Sequence, residues 1–91
     1  MNADLITRAR KTSIETMQEE LKNFEKNPAT SPDDISKIIS KREDYSNDRE
    51  YFPLILGPDS KYHKPSKEDI IRLTYYCYLK FKEEYKEIFA N

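Results

Sequence analysis

His63 and Cys77 are the one histidine and the one cysteine of the chain. They are also the only pair from which a thiol nucleophile and its base could be built. No third residue stands out to orient the base, and Cys77 falls inside an apolar stretch, so the sequence assigns no catalytic residue and no enzyme activity. The same two residues are too few for a zinc site in the usual ligand sets, and neither a metal nor a cofactor is expected. A single glycine excludes a dinucleotide fingerprint and a phosphate-cradling loop. The adjacent acids Glu19-Glu20, Asp33-Asp34, Glu43-Asp44 and Glu83-Glu84 diverge by about 100 degrees around a helix, which prevents each pair from forming a carboxylate dyad. They read as solvated faces.

Two sets of residues carry binding chemistry instead. Lys61, Tyr62, His63, Lys64 and Lys67 interleave cations with an aromatic just before a helix start, where free backbone N–H groups favour anions. From 61 to 82 six bases (Lys61, Lys64, Lys67, Arg72, Lys80, Lys82) face two acids (Glu68, Asp69). From 27 to 60 four bases (Lys37, Lys41, Arg42, Arg49) face seven acids (Asp33, Asp34, Glu43, Asp44, Asp48, Glu50, Asp59). The sign asymmetry makes 61–67 the candidate anion site. The whole molecule, with 16 bases and 17 acids, lacks the basic excess of a general nucleic-acid binder. The second set is aromatic. Seven tyrosines stand in 91 residues, and Tyr75, Tyr76 and Tyr78 point in different directions from one helix axis. With Phe52 and Leu54 they form the candidate partner-binding surface, because tyrosine joins a large contact area to a polar tip.

The elements that position these residues are helical. Leu5, Ile6, Ala9, Ile14, Met17, Leu21 and Phe24 recur at three- and four-residue spacing and predict a helix over 3–26. Thr12 with Glu15 matches a capping box that could break it, but a continuous helix is the expectation. Pro28 ends it. Ser31-Pro32-Asp33-Asp34 combines a cap, a first-turn proline and two acids, and predicts a second helix over 32–46. Three prolines and the glycine between Tyr51 and Pro65 predict an extended segment over 51–65. Ser66 with Asp69 starts a third helix over 67–89, whose apolar belt covers most of its circumference. The expected fold is all-α, a single domain over 1–91. Three helices, long in the first and third, form an antiparallel hairpin or small bundle with the proline-rich segment laid over it.

A chain with only 15 leucines and isoleucines, and no valine, builds a thin core and is marginal alone. Self-association through the last helix, as a homodimer, is therefore expected. The functional expectation is a non-catalytic protein–protein interaction factor: a small intracellular inhibitor, immunity or regulatory protein that occludes a partner surface. The alternative is a nucleotide or nucleic-acid module using 61–67. No run approaches the roughly 20 apolar residues of a membrane span, and the first ten residues do not fit a secretory signal. A lone buried thiol points to a reducing cytoplasm.

Overall fold

The computed structural model describes residues 3–85. It is all-helical, with no strand among the described residues, and it contains five helices where three were expected. They are α1 (Ala3–Lys11), α2 (Ile14–Lys26), α3 (Pro32–Ser46), α4 (Tyr51–Leu56) and α5 (Lys67–Glu84). The part of the predicted last helix beyond residue 85 lies outside the described residues.

The first correction is the break between α1 and α2. Ser13 is extended (φ −68°, ψ 152°), and its side chain accepts from the Thr16 N–H at 3.2 Å. Thr12 turns its hydroxyl back onto the Arg8 carbonyl at 2.6 Å. The cap is thus one residue later than the expected Thr12–Glu15 box. A continuous helix would bond the carbonyls of Ala9, Arg10 and Thr12 to N–H groups four residues on. Arg72 of α5 takes them instead, its Nη1 donating to Ala9, Arg10 and Thr12 at 2.5, 2.9 and 3.1 Å. A partner 60 residues away therefore compensates for the broken ladder.

The second correction is α4, where an extended chain was expected. Asp48 accepts from the backbone N–H groups of Glu50 and Tyr51 at 2.8 and 3.0 Å, which answers two donors of a helix start. Pro53 falls in the first turn, where its missing N–H is not needed. Six residues suffice to bury Phe52 and Ile55, three apart on one face. Gly57 then turns the chain away at φ +100°, a conformation that disfavours any side chain, with its N–H on the Pro53 carbonyl at 2.8 Å.

Ser31 with Asp34 and Ser66 with Asp69 form complete capping boxes at the starts of α3 and α5. These reciprocal bonds need no long-range help, so both starts follow from local sequence.

The core is built around α5, which packs against each of the other four helices. Its wide aromatic belt is consumed within the chain: Tyr75 and Tyr76 are fully buried, and Tyr78 is 6% exposed. Tyr78 meets Phe24 of α2 at 5.1 Å between ring centroids, and Tyr76 meets Tyr45 of α3 edge-on at 5.5 Å. Tyr75 reaches the Glu20 carboxylate, to which its hydroxyl donates at 3.0 Å. The Tyr76 hydroxyl has no hydrogen-bond partner among the described residues. A buried unpaired hydroxyl costs about 1–3 kcal/mol, and Tyr76→Phe is expected to raise the unfolding free energy by about 1 kcal/mol. Urea unfolding of the two chains measures the difference.

Candidate functional site

The expected partner-binding surface is not a surface. Tyr75, Tyr76, Tyr78 and Phe52 are core residues, and of that set only Leu54, 48% exposed, meets solvent substantially. Splitting the first helix and folding 51–56 into α4 supply enough elements to enclose Tyr75, Tyr76 and Tyr78 of α5, while Ile70 on the same helix stays 39% exposed. The tyrosines of α5 that the expected homodimer would have used are thereby buried within the chain.

The basic loop is partly outward and partly structural. Lys61, His63, Lys64 and Lys67 are exposed. Tyr62 is half-buried, edge-on to Phe52 at 5.5 Å, and its hydroxyl donates to the Asn47 carbonyl. The two candidate sets therefore meet through rings that hold the loop in place. His63 packs edge-on against Tyr62 at 4.4 Å, and the Arg49 guanidinium lies 6.0 Å from the same ring, a cation the sequence reading had not connected with the loop. The start of α5 is occupied: Asp69 accepts from the Ser66 N–H at 3.0 Å and from the Ser60 hydroxyl at 3.2 Å. A carboxylate at that position repels an incoming anion.

His63 and Cys77 are not brought together. The thiol lies on the floor of a groove between α3 and α5, with a volume of about 290 Å³. Ile38 and Tyr45 from α3 and Cys77 and Phe81 from α5 supply the buried floor. Tyr85 closes one side, stacked on Phe81 at 4.6 Å. Lys37, Ser40, Lys41 and Asp44 of α3 face Lys80 and Glu84 of α5 across the rim.

The groove has a local cause. Ile38 and Tyr45 are seven residues apart on the buried face of α3, and the helical repeat calls for an apolar residue between them at 41 or 42. The chain has Lys41 and Arg42 there. Arg42 turns aside to donate to the Thr74 hydroxyl at 3.4 Å, and Lys41 extends to the exposed rim, which leaves a hollow above the still-buried Cys77 and Phe81 of α5. This interruption of a narrow stripe, with Lys37 one turn before Lys41, is the signal of the groove that residue order carries.

Electrostatics at the groove favour cations over a thiolate. Lys80 donates to the Tyr45 hydroxyl at 2.9 Å. Burial opposes its charge, yet that bond and the nearby Glu84 hold its pKa above the ordinary lysine value. Burial pushes the Cys77 thiol up to about 12, despite the opposing pull of Lys80, Arg42 and Lys41. The thiol is thus kept protonated and poorly nucleophilic. Burial also raises the Tyr75, Tyr76 and Tyr78 phenols. An acid whose folded pKa lies above its unfolded value stabilises the fold fully below the unfolded value and loses that contribution as pH rises through the folded one. For Cys77 the window runs from its ordinary 9.0 to about 12. Unfolding free energy is expected to fall across that interval in denaturant titrations, and Cys77→Ala to flatten part of the slope.

A second polar cluster joins α1, α2 and α5, where Glu20 takes Arg8 at 3.3 Å as well as the Tyr75 hydroxyl. Its acceptors and donors satisfy each other, which makes it a brace between helices. Among the described residues no group of three or more histidines, cysteines and acids could hold a metal ion. No described helix is long and apolar enough to cross a membrane.

Fold and site together describe an all-α protein of five helices with a lysine-rimmed groove on one side. Comparison with protein-family models, with curated proteins and with solved structures finds no match to this chain.

Proposed function

We propose that the chain is a non-catalytic binding protein that acts on another protein through the α3/α5 groove, in keeping with an inhibitory or regulatory role. The observation that carries this reading is the groove's combination of an apolar, ring-lined floor with a charged rim. A few fully apolar anchor points surrounded by polar groups are the usual anatomy of a protein-recognition site. The volume of about 290 Å³ sits at the bottom of the roughly 300–1,000 Å³ range of small-molecule pockets. Such a space takes one or two anchoring side chains of a partner better than a cofactor. The buried, protonated Cys77 supports a binding role over a catalytic one. Of the two sequence-level candidates, the 61–67 loop is the weaker site because Asp69 already faces the start of α5.

Ser40→Trp fills the groove from its exposed rim without touching the core. Peptides selected on the unaltered protein from a library unbiased in charge are expected to lose about tenfold or more in affinity for the Ser40→Trp chain, the loss of one good anchor. Helicity is expected to stay the same by circular dichroism. Selected peptides that bind both chains equally would refute the groove as the site.

A further inference from the structure

The rim of the groove specifies what kind of partner segment it takes. Lys37 and Lys41 stand one helical turn apart on α3, about 6 Å along the axis, and Lys80 faces them from α5. None of the three forms an ion pair with a described carboxylate, although Asp44 and Glu84 share the rim. Like charges at this spacing cost a helix a few tenths of a kcal/mol when nothing offsets them. Two of the three ammonium groups instead lie over aromatic rings of the groove. The Lys37 Nζ lies 5.3 Å from the Tyr85 ring centroid, and the Lys80 Nζ lies 5.5 Å from that of Tyr45. Lys41 has neither kind of partner among the described residues. The three lysines thus line one hollow whose base is Ile38, Cys77 and Phe81.

From this arrangement we infer that the groove's occupant is an acidic segment of a partner protein, seating one large apolar side chain on the floor and presenting carboxylates to Lys37, Lys41 and Lys80. The inference rests on the functional reading above and goes further by naming the chemistry of the partner. A free anion would use the rim and leave the floor wet, and an uncharged apolar segment would leave the three lysines at its edge without an ion-pair partner. A segment bearing both features satisfies both parts of the site. Rim charges contribute mainly to association rate and salt dependence, and the anchor contributes to residence time.

Three short synthetic peptides test this with the full chain. One carries several glutamates around a central phenylalanine, the second has glutamine for each glutamate, and the third has alanine for the phenylalanine. The acidic phenylalanine peptide is expected to bind about tenfold more tightly than either of the others, with an association rate that falls steeply as salt is added. The double variant Lys37→Gln/Lys41→Gln, whose exposed side chains leave the fold intact, is expected to lose most of that advantage and most of the salt dependence. Equal binding of the acidic and glutamine peptides, abolished by Ser40→Trp but unaffected by the lysine variant, would overturn the inference and leave the groove reading standing. Indifference of all three peptides to Ser40→Trp would overturn both. Tighter binding of a single-stranded oligonucleotide than of the acidic peptide, weakened by the lysine variant, would overturn the assignment to a protein segment.

Discussion

The Phe52→Ala chain is expected to unfold with a free energy about 3–5 kcal/mol below that of the unaltered protein, the usual cost of deleting a fully buried phenylalanine. Phe52 has no exposed surface, and it is one of two residues through which the short α4 enters the core. Its ring also supports Tyr62, so its loss loosens the 57–66 connection as well. A 91-residue chain has a total stability of about 5–14 kcal/mol at the typical value per residue. The variant therefore sits near the threshold of folding, and its urea midpoint falls accordingly. Leu54→Ala on the same helix is the matched control. That side chain is 48% exposed, and its truncation is expected to cost less than about 1 kcal/mol. Equal effects of the two substitutions would mean that 51–56 does not enter the core as a helix, and the extended reading would return.

Arg72→Met is expected to cost about 2–3 kcal/mol. Methionine keeps the unbranched stem but removes the donors that three carbonyls at the α1/α2 break share. Hydrogen bonds from a charged donor contribute about 1.5–3 kcal/mol, and carbonyls left half-buried without a partner add a penalty. The effect is local as well as global. Amide exchange around Ser13 to Met17 is expected to speed up in the variant more than exchange within α3, because the Arg72 side chain ties this junction to α5. Unchanged exchange at the junction would show that the Ser13 cap alone maintains the break.

Both expectations concern features that could not be read along the chain. The capping boxes at Ser31 and Ser66 were legible because their bonds join residues three apart, and the all-helical class was legible because apolar residues recur at helical spacing. The break at Thr12 and Ser13 was visible as a weak point. Its outcome depended on Arg72, 60 residues downstream of Thr12, and a local comparison of capping against continuity missed it. Likewise Pro53 and the apolar run 52–56 resembled an extended plug. The helix there needs both the Asp48 carboxylate, which accepts from the Glu50 and Tyr51 N–H groups, and a hydrophobic face with a place to go, and α1, α3 and α5 supply that place.

The candidate site divides along the same line. Composition identified α5 as carrying more aromatic surface than one neighbour could cover. The expectation that a partner or a second copy would cover the remainder fails, because four helices of the same chain pack against α5 and bury Tyr75, Tyr76 and Tyr78. With Tyr75, Tyr76 and Tyr78 enclosed, the recognition surface we propose is the groove beside α3, where Lys41 and Arg42 interrupt the apolar stripe. Local hydrogen bonding and periodicity act over a few residues, which is why helix starts, helix faces and the charge asymmetry could be read directly from residue order. Burial of a given ring, the fate of a helix break and the presence of a groove depend on which distant surfaces compete for the same space. Those competitions are settled by packing, where a single side chain such as Arg72 or Phe52 outweighs the preferences of the segment it meets.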